Sequence, residues 1–123
     1  MRGRHERHDP GGGGINVARV FVRLGGNARC YYLSGGPTGV ALDGLADLHR
    51  LVRSRVAING ETRISTSVFE RESSREYRFV TTGLAVSPDE WKACKAMLSE
   101  AIAEAAGAIV KRRGSTCRSH NGA

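Results

Sequence analysis

Four consecutive glycines, Gly11 to Gly14, run straight into an amphipathic helical pattern, and these are the residues whose types and spacing could hold a ligand. Glycine lets the backbone come close to a small molecule. The first turn of a helix adds unpaired N–H groups at the positive end of its dipole. The chemistry this predicts is a small-ligand or anion cradle. A flexible linker can have the same glycine content, but the residues that follow favour the cradle. Val17, Val20, Phe21 and Leu24 recur at helical spacing, and Gly25-Gly26 then stops the helix. Two other glycine loops are excluded. A Walker loop needs Gly-Lys followed by Ser or Thr, and none occurs; a dinucleotide fingerprint needs a hydrophobic strand before the glycines, and residues 1–10 are polar and charged.

The elements that must position such a cradle follow from the rest of the chain. Residues 28–33 form a short apolar run that reads as a buried strand, closed by a second glycine turn, Ser34-Gly35-Gly36-Pro37-Thr38-Gly39. Val40, Leu42, Leu45, Leu48 and Val52 then mark another helix. Helix, strand, glycine turn and helix indicate an α/β sheet, in which both glycine loops are expected to face one crevice at the carboxyl ends of the strands. Residues 57–70 and 76–80 alternate with period two and are rich in β-branched and aromatic side chains, with a polar turn at residues 71–75 between them. An antiparallel hairpin is predicted, and a β insertion of this kind is often a lid. Ser87-Pro88-Asp89-Glu90 is a capping box with proline at the first helical position. Trp91, Cys94, Leu98, Ile102 and Ala105 supply the expected buried stripe of the helix it starts. Gly107 is expected to end that helix before a strand beginning at Ala108.

Composition limits the functional classes. At 123 residues with 40% hydrophobic content, the chain is one domain or part of one, with a modest core. No apolar run approaches membrane-spanning length, and residues 1–8 lack the apolar centre of a secretory signal, so a cytoplasmic protein without membrane contact is expected. Cys30, Cys94 and Cys117 are widely spaced, which suggests reduced thiols rather than disulfides or a zinc site. The net charge of +7 is largely a property of the tail: without Lys111, Arg112, Arg113 and Arg118, fifteen bases remain against twelve acids. With no basic helix or RNA-binding aromatic motif, no nucleic-acid partner is expected. His5 and His8 are close enough to share a metal but have no third ligand nearby, and read as part of a polar leader.

In order, Asp9-Pro10-Gly-Gly-Gly-Gly-Ile15-Asn16-Val17-Ala18-Arg19, Leu24-Gly25-Gly26, Ser34 to Gly39, Glu61-Thr62-Arg63 and Glu76-Tyr77-Arg78-Phe79-Val80 resemble the phosphofructokinase B group of the ribokinase-like carbohydrate kinases. The resemblance covers roughly residues 9–106. It implies a partial ribokinase-like fold, a three-layer α/β sheet with an inserted antiparallel β lid at about residues 56–82. It also implies transfer of phosphate from ATP, with Mg2+, to a phosphorylated hexose such as fructose 6-phosphate or fructose 1-phosphate. Gly11, Gly12 and Asn16 match family positions that contact the sugar: glycines permit close approach, and an asparagine amide both donates to and accepts from hydroxyls. Arg63 and Arg78 match the arginines that hold the substrate's phosphate, onto which a guanidinium forks naturally. Lids of two family chains often meet in a dimer, so a homodimer or pairing with an intact kinase through the lid is implied.

The chain also departs from the family. Members begin with a strand carrying Asn-Pro-x-x-Asp, and they are more than twice as long. Their further half carries the nucleotide site and a Gly-Ala-Gly-Asp motif that supplies the anion hole and catalytic base. The ATP and Mg2+ sites are therefore expected to be absent from this chain, and no catalytic residue is assigned. Three regions are expected: a polar leader (1–8), a partial kinase domain (9–110) and a disordered basic tail (111–123). The tail begins where the family continues into a Gly-Ser-Leu-Pro-Pro-Gly loop, as a frameshift or pseudogene boundary near Val110 would produce. A sheet without its further strands would leave edges and apolar faces open, so aggregation of the isolated chain is expected.

Overall fold

A computed structural model describes residues 3–83 and 85–114. The elements, in order, are α1 (Gly13–Arg23), β1 (Arg29–Ser34), α2 (Gly36–Leu48), β2 (Val52–Ala57), β3 (Ser65–Glu70), β4 (Arg75–Val80) and α3 (Pro88–Gly114). β1 and β2 pair in parallel, Cys30 beside Arg53 and Leu33 beside Val56, with α2 as the crossover. β3 and β4 pair antiparallel, with Ser67 opposite Arg78. α1 and α2 share a core with β1, whereas α3, among the described residues, contacts both parallel strands and neither of those helices, which puts it on the other face. The architecture is thus the expected three-layer α/β sheet with an antiparallel hairpin inserted after its second strand.

The core is small. Ile15 and Ala18 of α1, one helical turn apart, close on Cys30 of β1, Ala46 of α2 and Leu51, with Val22, Tyr32 and Leu42 around them. Burial pushes the Cys30 thiol pKa up, which keeps it protonated and inert. Asp43 ties the layers together: its carboxylate accepts from the Tyr32 hydroxyl at 2.8 Å and lies 2.9 Å from Arg55 Nη1. Burial, and then the Asp43 carboxylate, hold the Tyr32 phenol up at about 12. Arg53 bonds mainly to Asp47, at 2.7 and 3.0 Å.

Both early helices end in the same backbone device. Gly26 N–H bonds Phe21 C=O and Gly25 N–H bonds Val22 C=O, each at 3.0 Å, with Gly25 at φ 88°. At the end of α2, Leu51 and Arg50 bond Ala46 and Asp47 in the same pattern, but the left-handed position is occupied by Arg50 at φ 57°. A side chain in this region costs roughly 1–2 kcal/mol, and glycine forfeits part of that through its freer unfolded chain. Arg50→Gly is expected to stabilise the fold by about 0.5–1 kcal/mol and raise the melting temperature by a few degrees. An unchanged or lower midpoint would contradict this.

Four sequence expectations are corrected. Val52 does not extend the second helix; it opens β2, whose parallel partner is more than twenty residues away in sequence. The extended run from residue 57 to 70 divides: Ala57 ends β2, residues 58–64 form no strand, and β3 begins at Ser65. Gly107 does not stop the last helix, and no strand begins at Ala108; α3 continues through Gly114. Interior glycine costs only about 1 kcal/mol in a helix, and Ala103, Ala105, Ala106 and Ala108 around it are the best helix formers. Residues 111–114 of the expected tail therefore lie in α3, and residues 115–123, with Cys117 and Arg118, are outside the described residues.

The fourth correction concerns the stripe of α3. Trp91, Leu98 and Ile102 are exposed, at 54, 43 and 61%. Width explains this: the sheet on which α3 packs has only two strands among the described residues, β1 and β2. α1 shows a related effect. Ile15, Ala18 and Val22 turn inward, whereas Val17 and Leu24 are 70 and 81% exposed. A sheet only two strands wide cannot cover the apolar faces of three helices.

Candidate functional site

The leader is clamped onto the glycine run. Arg19, nearly two turns into α1, donates to Asp9 Oδ1 at 2.9 Å and to the Pro10 carbonyl at 3.3 Å. Pro10 is fully buried, and Arg7 closes on the other side of Asp9 at 2.5 Å. These contacts set the direction in which Gly11–Gly14 leave the core. The Arg7 hydrogen bond, with the charges of Arg7 and Arg19, holds the Asp9 carboxyl below its usual value. With the folded value depressed, the clamp's contribution is present above the unfolded value of about 4 and is lost as pH falls through the folded one. Amide resonances of Gly11 to Asn16 are expected to move as pH falls below about 4. Resonances that stay in place down to pH 2 would contradict the clamp.

Gly12 caps α1 at φ 115°, in the left-handed region, and its carbonyl accepts Asn16 N–H at 2.9 Å. No acidic residue stands in the first turn and no side chain caps it. A Cβ placed on any of Gly11 to Gly14 would meet nothing within 4 Å, so the space beside these amides is open. Asn16 is exposed at one end of an open groove of about 400 Å³, walled by Val17, Val20, Phe21 and Leu24. An anion or polyol can approach the helix head without displacing any side chain.

Arg63 and Arg78 both lie on the inserted hairpin and are exposed. Arg78 faces Ser67 across the strands. Arg63 lies two residues before β3, in the segment without strand structure that leads into the hairpin. The hairpin contact continues past the ladder, where the Thr81 hydroxyl donates to the Ile64 carbonyl at 3.0 Å. The opposite face of the hairpin presents Ile64, Val68, Tyr77 and Phe79, all exposed. The five predicted site residues therefore form two groups, Gly11, Gly12 and Asn16 at the head of α1, and Arg63 and Arg78 on the hairpin. Among the described residues, no hydrogen bond joins the groups, and β3 and β4 pack only on each other.

The second glycine turn is not an open cradle, contrary to the expectation that both loops face one crevice. Its cavity is filled by the root of the hairpin. Gly35 N–H donates to Thr62 Oγ1 at 3.0 Å, Thr62 N–H to the Gly35 carbonyl at 3.0 Å, and Thr38 Oγ1 to the Thr62 carbonyl at 2.6 Å. A Cβ on Gly35 would lie 2.2 Å from the Gly60 carbonyl oxygen and 2.3 Å from that of Ile58. The capping box forms as expected, with Ser87 N–H on Glu90 Oε2 at 2.8 Å and Glu90 N–H on Ser87 Oγ at 3.2 Å. It also serves the root, because Glu90 Oε1 accepts Asn59 N–H at 2.8 Å. Those two backbone bonds, from Ser87 and Asn59, hold the Glu90 carboxyl below its usual value. Sequence reasoning missed Thr38, Thr62 and Glu90 in this role. Only Glu61-Thr62-Arg63 as a motif drew attention to the segment.

Among the described residues, no three His, Cys, Asp or Glu side chains group as a metal site, and no helix is long and apolar enough to cross a membrane. No protein-family model matches the chain. Curated relatives do. The chain is 39% identical over 106 residues to the ATP-dependent 6-phosphofructokinase isozyme 2 of Mycobacterium tuberculosis, covering 86% of this chain and 31% of that protein. It is 38% identical over 108 residues to the enzyme of the same description from Escherichia coli, covering 87 and 34%. The phosphofructokinase-2 of Escherichia coli, solved in complex with fructose-6-phosphate, superposes with a TM-score of 0.71 at 37% identity, over 75% of this chain and 30% of that one. Its tetrameric inhibited form superposes with a TM-score of 0.70. The chain spans about a third of the length of the curated relatives it matches.

Proposed function

Because this chain belongs to the phosphofructokinase B group of the ribokinase-like carbohydrate kinases, we propose that it carries the sugar-phosphate side of a phosphofructokinase-type site: part of the sugar cradle and the lid. The observation that supports this reading most is the open helix head at Gly11, Gly12 and Asn16, in a chain whose inserted hairpin bears two exposed arginines, one leading into β3 and one on β4. The Asn16 amide would donate to one sugar hydroxyl and accept from another. The free first-turn N–H groups of α1 would face a substrate oxygen. Arg63 and Arg78 would fork onto the phosphate, and hairpin closure would exclude water. In the family, ATP with Mg2+ supplies the transferred phosphoryl group, and no residue of this chain is assigned to either.

The substrate class is a phosphorylated hexose such as fructose 6-phosphate or fructose 1-phosphate, and the setting is the cytoplasm. The chain alone binds the sugar phosphate without turning it over, since phosphoryl transfer requires ATP, metal and an activated hydroxyl held together. Calorimetry against fructose 6-phosphate and fructose, with an ATP-coupled assay on the same sample, tests this. Preferential binding of the phosphate ester with no turnover is expected. Turnover would refute the non-catalytic reading, and absence of binding would refute the sugar-phosphate reading.

A second reading is favoured by the exposed apolar face of the hairpin, Ile64, Val68, Tyr77 and Phe79: a regulatory module that pairs through the lid with another copy or with an intact kinase. Co-purification with an intact kinase of the family tests it. Loss of pairing in Phe79→Ser is the expected result, and its persistence would rule out the lid as the contact.

A further inference from the structure

We infer that Thr38 and Thr62 are positioning residues that hold Arg63 still while the rest of the hairpin moves, so that Arg63 is the fixed half of a phosphate clamp and Arg78 the half delivered by closure. This rests on the sugar-phosphate reading above.

Thr62 has its N–H, its carbonyl and its hydroxyl each committed to the second glycine turn, to Gly35, Thr38 and Gly35 respectively. Upstream, Asn59 is tied to Glu90 and Ile58 N–H to the Ser34 carbonyl at 3.2 Å. Residues 58–62 are thereby part of the rigid α/β body. From Ser65 to Val80, by contrast, the hairpin packs on no other helix or strand among the described residues. A segment held at three points on one side and free on the other bends where the bonds stop. That places the pivot between Thr62 and Ser65. Arg63 follows Thr62 directly in the chain, on the fixed side. Arg78, midway along β4, moves with the hairpin. An arginine whose backbone is already in place loses less freedom on meeting a phosphate, so discrimination between phosphorylated and unphosphorylated sugar depends on two hydroxyls that touch neither.

The experiment compares the full chain with Thr62→Val, Thr62→Ser and Thr38→Val. Hydrogen exchange read by mass spectrometry over residues 58–66 is expected to be about tenfold faster in Thr62→Val and Thr38→Val and unchanged in Thr62→Ser, with residues 40–48 equally protected in all four. The preference for fructose 6-phosphate over fructose is expected to fall about tenfold in the two valine variants and to be kept by the serine variant. Unaltered exchange in both valine variants would overturn the anchor. Faster exchange with an intact phosphate preference would overturn the positioning of Arg63. If the wild-type chain binds neither sugar, the sugar-phosphate reading fails and the positioning role fails with it, while the exchange data alone decide whether the anchor exists. If Thr62→Val does not fold, Thr38→Val, which leaves the Gly35–Thr62 bonds intact, supplies both measurements.

Discussion

Replacing Gly35 with alanine is expected to be the most destructive single-methyl change in the chain, lowering stability by about 3 kcal/mol, near the top of the range for overpacking. The reason is steric. At φ −156° Gly35 is in extended backbone that any residue adopts, so no conformational strain contributes. The added carbon would lie 2.2 and 2.3 Å from two backbone carbonyl oxygens, Gly60 and Ile58, which no side-chain rotation can relieve. The root of the hairpin must retreat, and the Gly35–Thr62 bonds break with it. Gly11→Ala is the control, because a Cβ there meets nothing within 4 Å and its backbone φ is not in the left-handed region; its effect is expected within about 0.5 kcal/mol. Gly12→Ala lies between the two: the space is open, but φ is 115°, and the strain costs about 1–2 kcal/mol. Thermal or urea melts of the three variants give the ranking. A Gly35→Ala chain that melts with the wild type would show that the hairpin root is not seated in the glycine turn.

Removal of the Arg63 guanidinium is expected to have the largest effect on ligand binding. A charge-assisted hydrogen bond contributes about 1.5–3 kcal/mol, and each 1.4 kcal/mol is tenfold, so Arg63→Ala should weaken fructose 6-phosphate by roughly 10- to 100-fold. Binding of unphosphorylated fructose should change little, since on the proposed reading the lost partner is the phosphate. Arg63→Lys should recover only part of the loss, because an ammonium cannot fork onto two phosphate oxygens. Arg78→Ala should weaken the phosphate ester as well, but less if Arg63 is the preset group. Raised salt should reduce the phosphate preference of the wild type, as expected for exposed charges. Calorimetry with both sugars measures all of these. Equal loss of fructose and fructose 6-phosphate on Arg63→Ala would mean that the arginine supports the fold rather than reading the phosphate.

What could be read from the sequence were features whose cause is local. Gly25-Gly26 ends α1 because only glycine accepts the left-handed turn there without cost, and Ser87 with Glu90 starts α3 because the cap lies within a single turn. The β3–β4 hairpin followed from period-two alternation around a polar turn, with both strands in one short stretch. The glycine run at residues 11–14 was legible as a close-approach turn into α1, and the order of motifs was legible as a family. The tertiary structure decided everything that depends on which distant segment arrives. Val52 belongs to a strand because β1 offers it a parallel partner, and parallel pairing leaves no mark near the residue itself. The second glycine turn, alike in composition to the first, holds the hairpin root instead of an open space, because Thr62 reaches it from more than twenty residues away. The apolar stripes of α1 and α3 were found by periodicity, but periodicity says only that a face is apolar. Whether it is covered depends on how wide the sheet is, and here the two paired strands leave Val17, Leu24, Trp91 and Ile102 exposed.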